Sequence, residues 1–276
     1  MNKNVQESTT IEKLQNPSMI PEKILRDTKY FSAFNLNLSE KSNYYNKNFA
    51  TLNDEECFVF GLKTIRNIIL KQNSPKNDSS SMYEIFNRLN SGSVKLKPQE
   101  IRKCMYHSKF YDMLYNLNLN NNWRYLLSSP IPDIYMKDVE ILLRSFAMLL
   151  SYKEYSPSMT SFLNDFSDKA KNFKEEEIDF LKVLFIEFIN YICSLNNKDI
   201  FCTEKNKFNI SFFESIFTVL CEKAYEQRDI TKIHKACVKK IDNLKNNKDF
   251  KNASTESTAS KQHVAERIKL AKENLL

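Results

Sequence analysis

Apolar residues recur at helical spacing over most of the chain. Thr51-Leu-Asn-Asp-Glu-Glu56 reads as a helix start, with Asn53 or Thr51 as the cap and acids in the first turn, where the macrodipole favours them. Phe58, Leu62, Ile65 and Ile69 then follow at the spacing of a buried stripe. Gln72–Ser81 is a loop by composition. Residues 81–90 carry Met82, Ile85, Phe86 and Leu89 on one face, and the helix is expected to stop at Asn90-Ser-Gly92, with Gly92 as a left-handed C-cap. Pro98 opens the next helix, 98–105, with Gln99 and Glu100 in its first turn. Further helices are expected over about 107–118, 136–152, 158–171, 174–195, 210–227, 230–246 and 260–275.

The helix from Glu175 has the clearest pattern. Three glutamates crowd its start, then Phe180, Leu181, Leu184, Phe185, Phe188, Ile189 and Ile192 define a wide apolar face. Before the 210–227 helix, either Asn209 caps alone or Ser211 and Glu214 form a capping box. Residues 1–48 are polar and irregular, apart from a short helical pattern around Ile20–Phe34. The expected organisation is a weakly structured segment over 1–48, a helical segment over 49–128, and a C-terminal helical bundle over 129–276.

Composition sharpens this to an all-α, multi-helix assembly. Only two glycines, Gly61 and Gly92, occur in 276 residues. Phosphate-binding loops, dinucleotide fingerprints and hairpin-rich sheets need more, because glycine supplies positive φ and close backbone approach. An apolar fraction of 42% and a charged fraction of 27% are those of a globular protein. The net charge is +7, concentrated toward the end: from Asp229 onward there are 11 Lys and Arg against 6 Asp and Glu. Six scattered cysteines without a C-x-x-C pair, a polar N-terminus and no long apolar run predict reduced thiols, a cytoplasmic location and no membrane span.

Candidate chemistry is sparse. His107, His234 and His263 lie far apart, and His234-x-x-Cys237 lacks a second pair at metal-ligand spacing, so no metal site is expected. Trp123 and most Phe and Tyr fall at core spacing. The exception is the turn between the two helices on either side of Gly92, which carries Arg88, Asn90, Glu100 and Arg102. Backbone amides and an arginine there make an anion site; the plainer reading is an ion-pair network that holds the turn.

Phe86, Arg88, Leu89, Asn90, Gly92, Leu96, Pro98, Glu100, Ile101 and Arg102 together resemble the second signature of a large bacterial family. That family supplies the ParB-like half of GmrSD-type, modification-dependent restriction endonucleases and related phage-defence proteins. Phe49–Glu56 resembles the stretch that precedes the signature, and Met136–Arg144 resembles a D-x-E-x-x-L-R helix that follows it. The resemblance departs at Ser93, where a second glycine is usual, and at Lys97, where serine is frequent. It implies that Arg88, Asn90, Gly92, Glu100 and Arg102 belong to the family's site.

The family's first signature, D-G-Q-Q-R, on a strand-rich segment, does not occur in this chain, nor does an HNH nuclease motif. The resemblance implies that the chain would start just downstream of that segment. The expectation is a split or truncated member that is not catalytic alone. It would complete a separately encoded D-G-Q-Q-R subunit, with nucleotide and magnesium entering only in the full complex. The alternative is a stand-alone helical module for nucleic acid or protein, in which Lys235, Lys239, Lys240 and Lys245 contact DNA phosphates. A self-sufficient enzyme ranks last, for want of a nucleophile–base pair or carboxylate cluster.

Overall fold

The computed structural model describes residues 34–67, 69, 80–89, 96–255 and 257–276. Among these the fold is all-α: twelve α-helices, three short 3-10 turns, and no sheet beyond one isolated bridge between Cys202 and Phe208. The described residues fall into two compact units, 34–69 and 80–276. The patterns expected over residues 20–33, most of the Gln72–Ser81 loop, Asn90 and the Gly92 stop lie outside the described residues.

In the first unit, Asn48 caps the 3-10 turn Phe49–Thr51, and Asn53 caps α1 (Asp54–Gly61). Asn53 Oδ1 accepts from the Glu56 amide at 2.8 Å while Glu56 accepts from the Asn53 amide at 3.0 Å, a reciprocal capping box. Burial of one stripe does not follow. The helix stops at Gly61, and Ile65 and Ile69 lie beyond it, 93% and 73% exposed. Glycine is disfavoured within a helix, and side chains left exposed lend no packing energy to carry the helix past it.

The second unit holds α2 (Ser80–Leu89), α3 (Pro98–Met105), α4 (Lys109–Asn118), α5 (Asn121–Leu126), α6 (Lys137–Ser151) and α7 (Met159–Ala170). It continues with α8 (Glu175–Ser194), α9 (Ile210–Gln227), α10 (Val238–Asn246), α11 (Lys248–Thr255) and α12 (Lys261–Leu275). Helix α9 packs along α6 and α12, α8 packs on α4, α5 and α9, and α12 closes over α10 and α11. At the centre, Phe185, Phe188 and Phe146 meet Phe217 edge-on at centroid distances of 5.6, 5.0 and 5.5 Å. Trp123, fully buried, leans on Phe213 at 5.2 Å and on Phe185 at 5.7 Å.

The helices differ from the periodicity at one boundary and in two short elements that it does not predict, α5 and α11. The stretch expected as one helix over 230–246 splits into a 3-10 turn, Ile230–Lys232, an extended link, and α10. The link has other partners: the His234 amide donates to the Leu220 carbonyl at 2.9 Å, and the Tyr191 hydroxyl donates to the Ala236 carbonyl. Tertiary hydrogen bonds replace the helical ladder there. Helix α5, six residues long and capped by Asn120, is too short to give a periodic signal. At α9 the cap is Asn209, whose side chain accepts from the Phe212 amide at 3.1 Å, and Glu214 is free for another task.

Candidate functional site: a buried charge spine on helix α6

The sequence puts Asp138, Glu140 and Arg144 on one helix, and the fold gives each a partner from a different element. Asp138 accepts from Arg124 of α5 at 2.7 Å, both nearly buried. Glu140 accepts from Arg102 of α3 at 3.0 Å. Arg144 donates to Glu214 of α9 at 2.9 Å, and the other oxygen of Glu214 accepts from Arg267 of α12 at 3.0 Å. Glu214 and Arg267 are each 1% exposed. Such groups stay ionised in a low-dielectric interior only when paired and hydrogen-bonded. Arg267 meets the condition further by donating to the Ala253 and Thr258 carbonyls at 2.9 and 2.8 Å.

Arg102 is the signature residue that the fold uses most. Pro98 starts α3, and Glu100 accepts from the Lys97 amide at 2.6 Å, which ties down the first turn. One turn on, the Arg102 guanidinium lies 1% exposed. Its Nε donates to Asn164 Oδ1 at 2.9 Å, and its Nη1 donates to Gln99 Oε1 and Glu140 Oε2 at 3.0 Å each. Tyr83 of α2 borders the group, and burial pushes its phenol up despite the nearby guanidinium and a hydrogen bond with Asn164. Tyr111 is fully buried beside it and shares a 2.9 Å hydrogen bond with Ser167; burial pushes it up to about 12. Glu140, one-third exposed, is where this cluster reaches solvent.

The signature residues thus have separate partners. Arg88, exposed, pairs with Glu84 one turn earlier at 3.2 Å. Glu100 caps its own helix, and Arg102 ties α3 to α6 and α7. Asn90 and Gly92 lie outside the described residues. Arg102 has intramolecular acceptors on two of its three nitrogens and is 1% exposed, so little of it is open to an incoming anion.

No protein-family model, curated protein or solved structure matches this chain.

The four lysines singled out at the C-terminal end divide in two. Lys240 Nζ donates to the Leu275 and Leu276 carbonyls at 3.1 and 3.3 Å, and Lys245 Nζ donates to those of Asp199 and Ile200 at 3.0 and 3.2 Å. Lys235 and Lys239 are exposed. Among the described residues no group of three or more His, Cys, Asp or Glu is placed to hold a metal ion. Likewise, no helix is long and apolar enough to cross a membrane. Sequence reasoning missed Gln99, Asn164, Glu214 and Arg267 as partners. The one local signal was the charge triplet at 138, 140 and 144 inside an otherwise apolar helix.

Proposed function

We propose that this chain is a non-catalytic, helical component of a ParB-like, GmrSD-type defence system. It acts in the cytoplasm and docks a separate subunit that carries the D-G-Q-Q-R segment. The observation that carries this reading is the surface of the first unit. Phe49, Phe58, Phe60 and Leu62 are 67%, 68%, 62% and 65% exposed, and none of residues 34–67 is buried. Of these, Phe49 and Phe60 line an apolar hollow of about 420 Å³ together with Phe34, Leu36, Leu38, Leu52 and Val59. Single exposed apolar residues are ordinary; a contiguous set around a hollow marks a protein-interaction surface.

The position of this surface in the chain agrees, since Phe49–Glu56 is the stretch that resembles the segment preceding the family signature. The 3.0 Å pair between Arg102 and Glu140 adds support, because it joins the two other stretches on which the resemblance rests. Arg102 then holds the module together and is not a catalytic group.

The test is capture of the tagged chain from its own cells, with the bound proteins identified by mass spectrometry. A protein bearing D-G-Q-Q-R is expected with the unaltered chain, and its loss is expected with the Phe49→Asp, Phe60→Asp double variant. An unaccompanied chain, or equal capture by the variant, overturns the proposal.

A further inference from the structure

Between the 3-10 turn Tyr152–Glu154 and helix α12 lies a cleft of about 390 Å³. That volume is within the range of small-molecule sites. Val264 and Ile268, 2% and 4% exposed, form its apolar floor. Lys153, Lys261, Lys269 and Lys272 stand on its walls. Two carboxylates answer them. Glu273 lies 3.8 Å from Lys269; Glu222, behind the wall, lies 2.5 Å from Lys272 and 3.9 Å from Lys153. Tyr152 Oη accepts from Lys272 at 3.1 Å, so this ammonium is held in place.

Two features make this more than a lysine-rich surface. Four ammonium groups against two carboxylates leave an excess of two positive charges over an apolar floor. In addition, Lys261 is the first residue of α12, whose first turn contains no acid. A cation there opposes the helix macrodipole. Lys261 therefore stands at the cleft against the local preference of the helix, whereas Lys272, in the last turn, follows it.

We infer that this cleft binds a small phosphate monoester, with the phosphate among the wall lysines and the organic body on Val264 and Ile268. A monoester carries a charge of about −1.5 to −2 at neutral pH, which matches the excess. Inorganic phosphate would leave the floor bare, and a carboxylate would satisfy only part of the charge.

The probe is phenyl phosphate, titrated calorimetrically into the full chain. Saturable binding is expected, several-fold tighter than that of inorganic phosphate. The Lys153→Gln, Lys269→Gln double variant is expected to weaken it about tenfold or more at unchanged thermal midpoint, while Lys235→Gln leaves it unaltered. Absence of saturation, or equal affinity in the double variant, overturns the inference. Inorganic phosphate binding as tightly as phenyl phosphate removes the role given to the floor and overturns the monoester. A single-stranded oligonucleotide that displaces phenyl phosphate with a steep salt dependence would replace it with a polyanion.

Discussion

Glu214 offers the sharpest test of the charge spine. Its carboxylate is 1% exposed and takes Arg144 at 2.9 Å and Arg267 at 3.0 Å. Glu214→Gln keeps the side-chain shape and one acceptor oxygen but removes the charge, leaving two guanidiniums facing each other, one of them buried. Breaking a buried pair by removing one partner costs about 3–5 kcal/mol, because the surviving charge is left uncompensated. Against a total stability of about 5–15 kcal/mol, this is a large fraction. With a urea m-value near the upper end of about 1–3 kcal/mol/M, the midpoint should fall by roughly 1–2 M. Trp123, the only tryptophan and fully buried, reports the transition by fluorescence. The double variant Glu214→Gln, Arg267→Met should lose less than the sum of the two single changes, by about 1 kcal/mol or more, since it removes the stranded charge as well. A single variant within about 1 kcal/mol of the unaltered chain would refute the claim that this carboxylate neutralises the spine.

Arg102→Ala should destabilise by about 3–5 kcal/mol by stranding Glu140, Asn164 and Gln99, whereas Glu140→Gln should cost clearly less, because Glu140 is one-third exposed; equal losses in urea unfolding would contradict this. Tyr111 is protonated more tightly in the folded chain, about 12 against an ordinary value near 10. Its contribution is full below pH 10 and is lost as pH rises from about 10 to 12, to the extent of about 2–3 kcal/mol. Tyr111→Phe should flatten that part of the alkaline stability curve, and an unchanged slope would count against the assignment. Trp123→Ala should cost about 3–5 kcal/mol, read by circular dichroism during thermal unfolding; a loss under about 1 kcal/mol would place the core elsewhere.

The shortage of glycine and the apolar face of α8 were sufficient to predict an all-helical chain, because both depend on local backbone chemistry alone. The Phe58–Ile69 stripe failed for a different reason. Periodicity says which face of a helix would be buried, and it cannot say whether the fold supplies a surface to cover it. The break at 233–237 was equally hidden, since its cause is a pair of hydrogen bonds to α8 and α9, far off in the chain. Arg102 was legible as a notable residue, but its partners lie 38 and 62 positions away, and a charge pattern names the groups without naming the pairs. Glu214 was ambiguous by construction: capping-box spacing and a buried ion pair call for the same residue, and only the third dimension separates them.

Helix α6 has a consequence for the order in which the chain can be made. Its first two acids, Asp138 and Glu140, take partners already synthesised, Arg124 and Arg102. Arg144 must wait for Glu214, 70 residues later, and Glu214 in turn for Arg267, 53 residues beyond. At about 5–20 residues per second, Arg144 emerges roughly 4–14 s before its counter-charge. The N-terminal end of α6 can therefore dock on the ribosome, while its C-terminal end holds an unpaired guanidinium until α9 arrives. A chain arrested between residues 214 and 267 has three of the four charge pairs available and the last helix incomplete, so nascent chains of increasing length should gain resistance to proteolysis in two steps, the second only when α12 is complete.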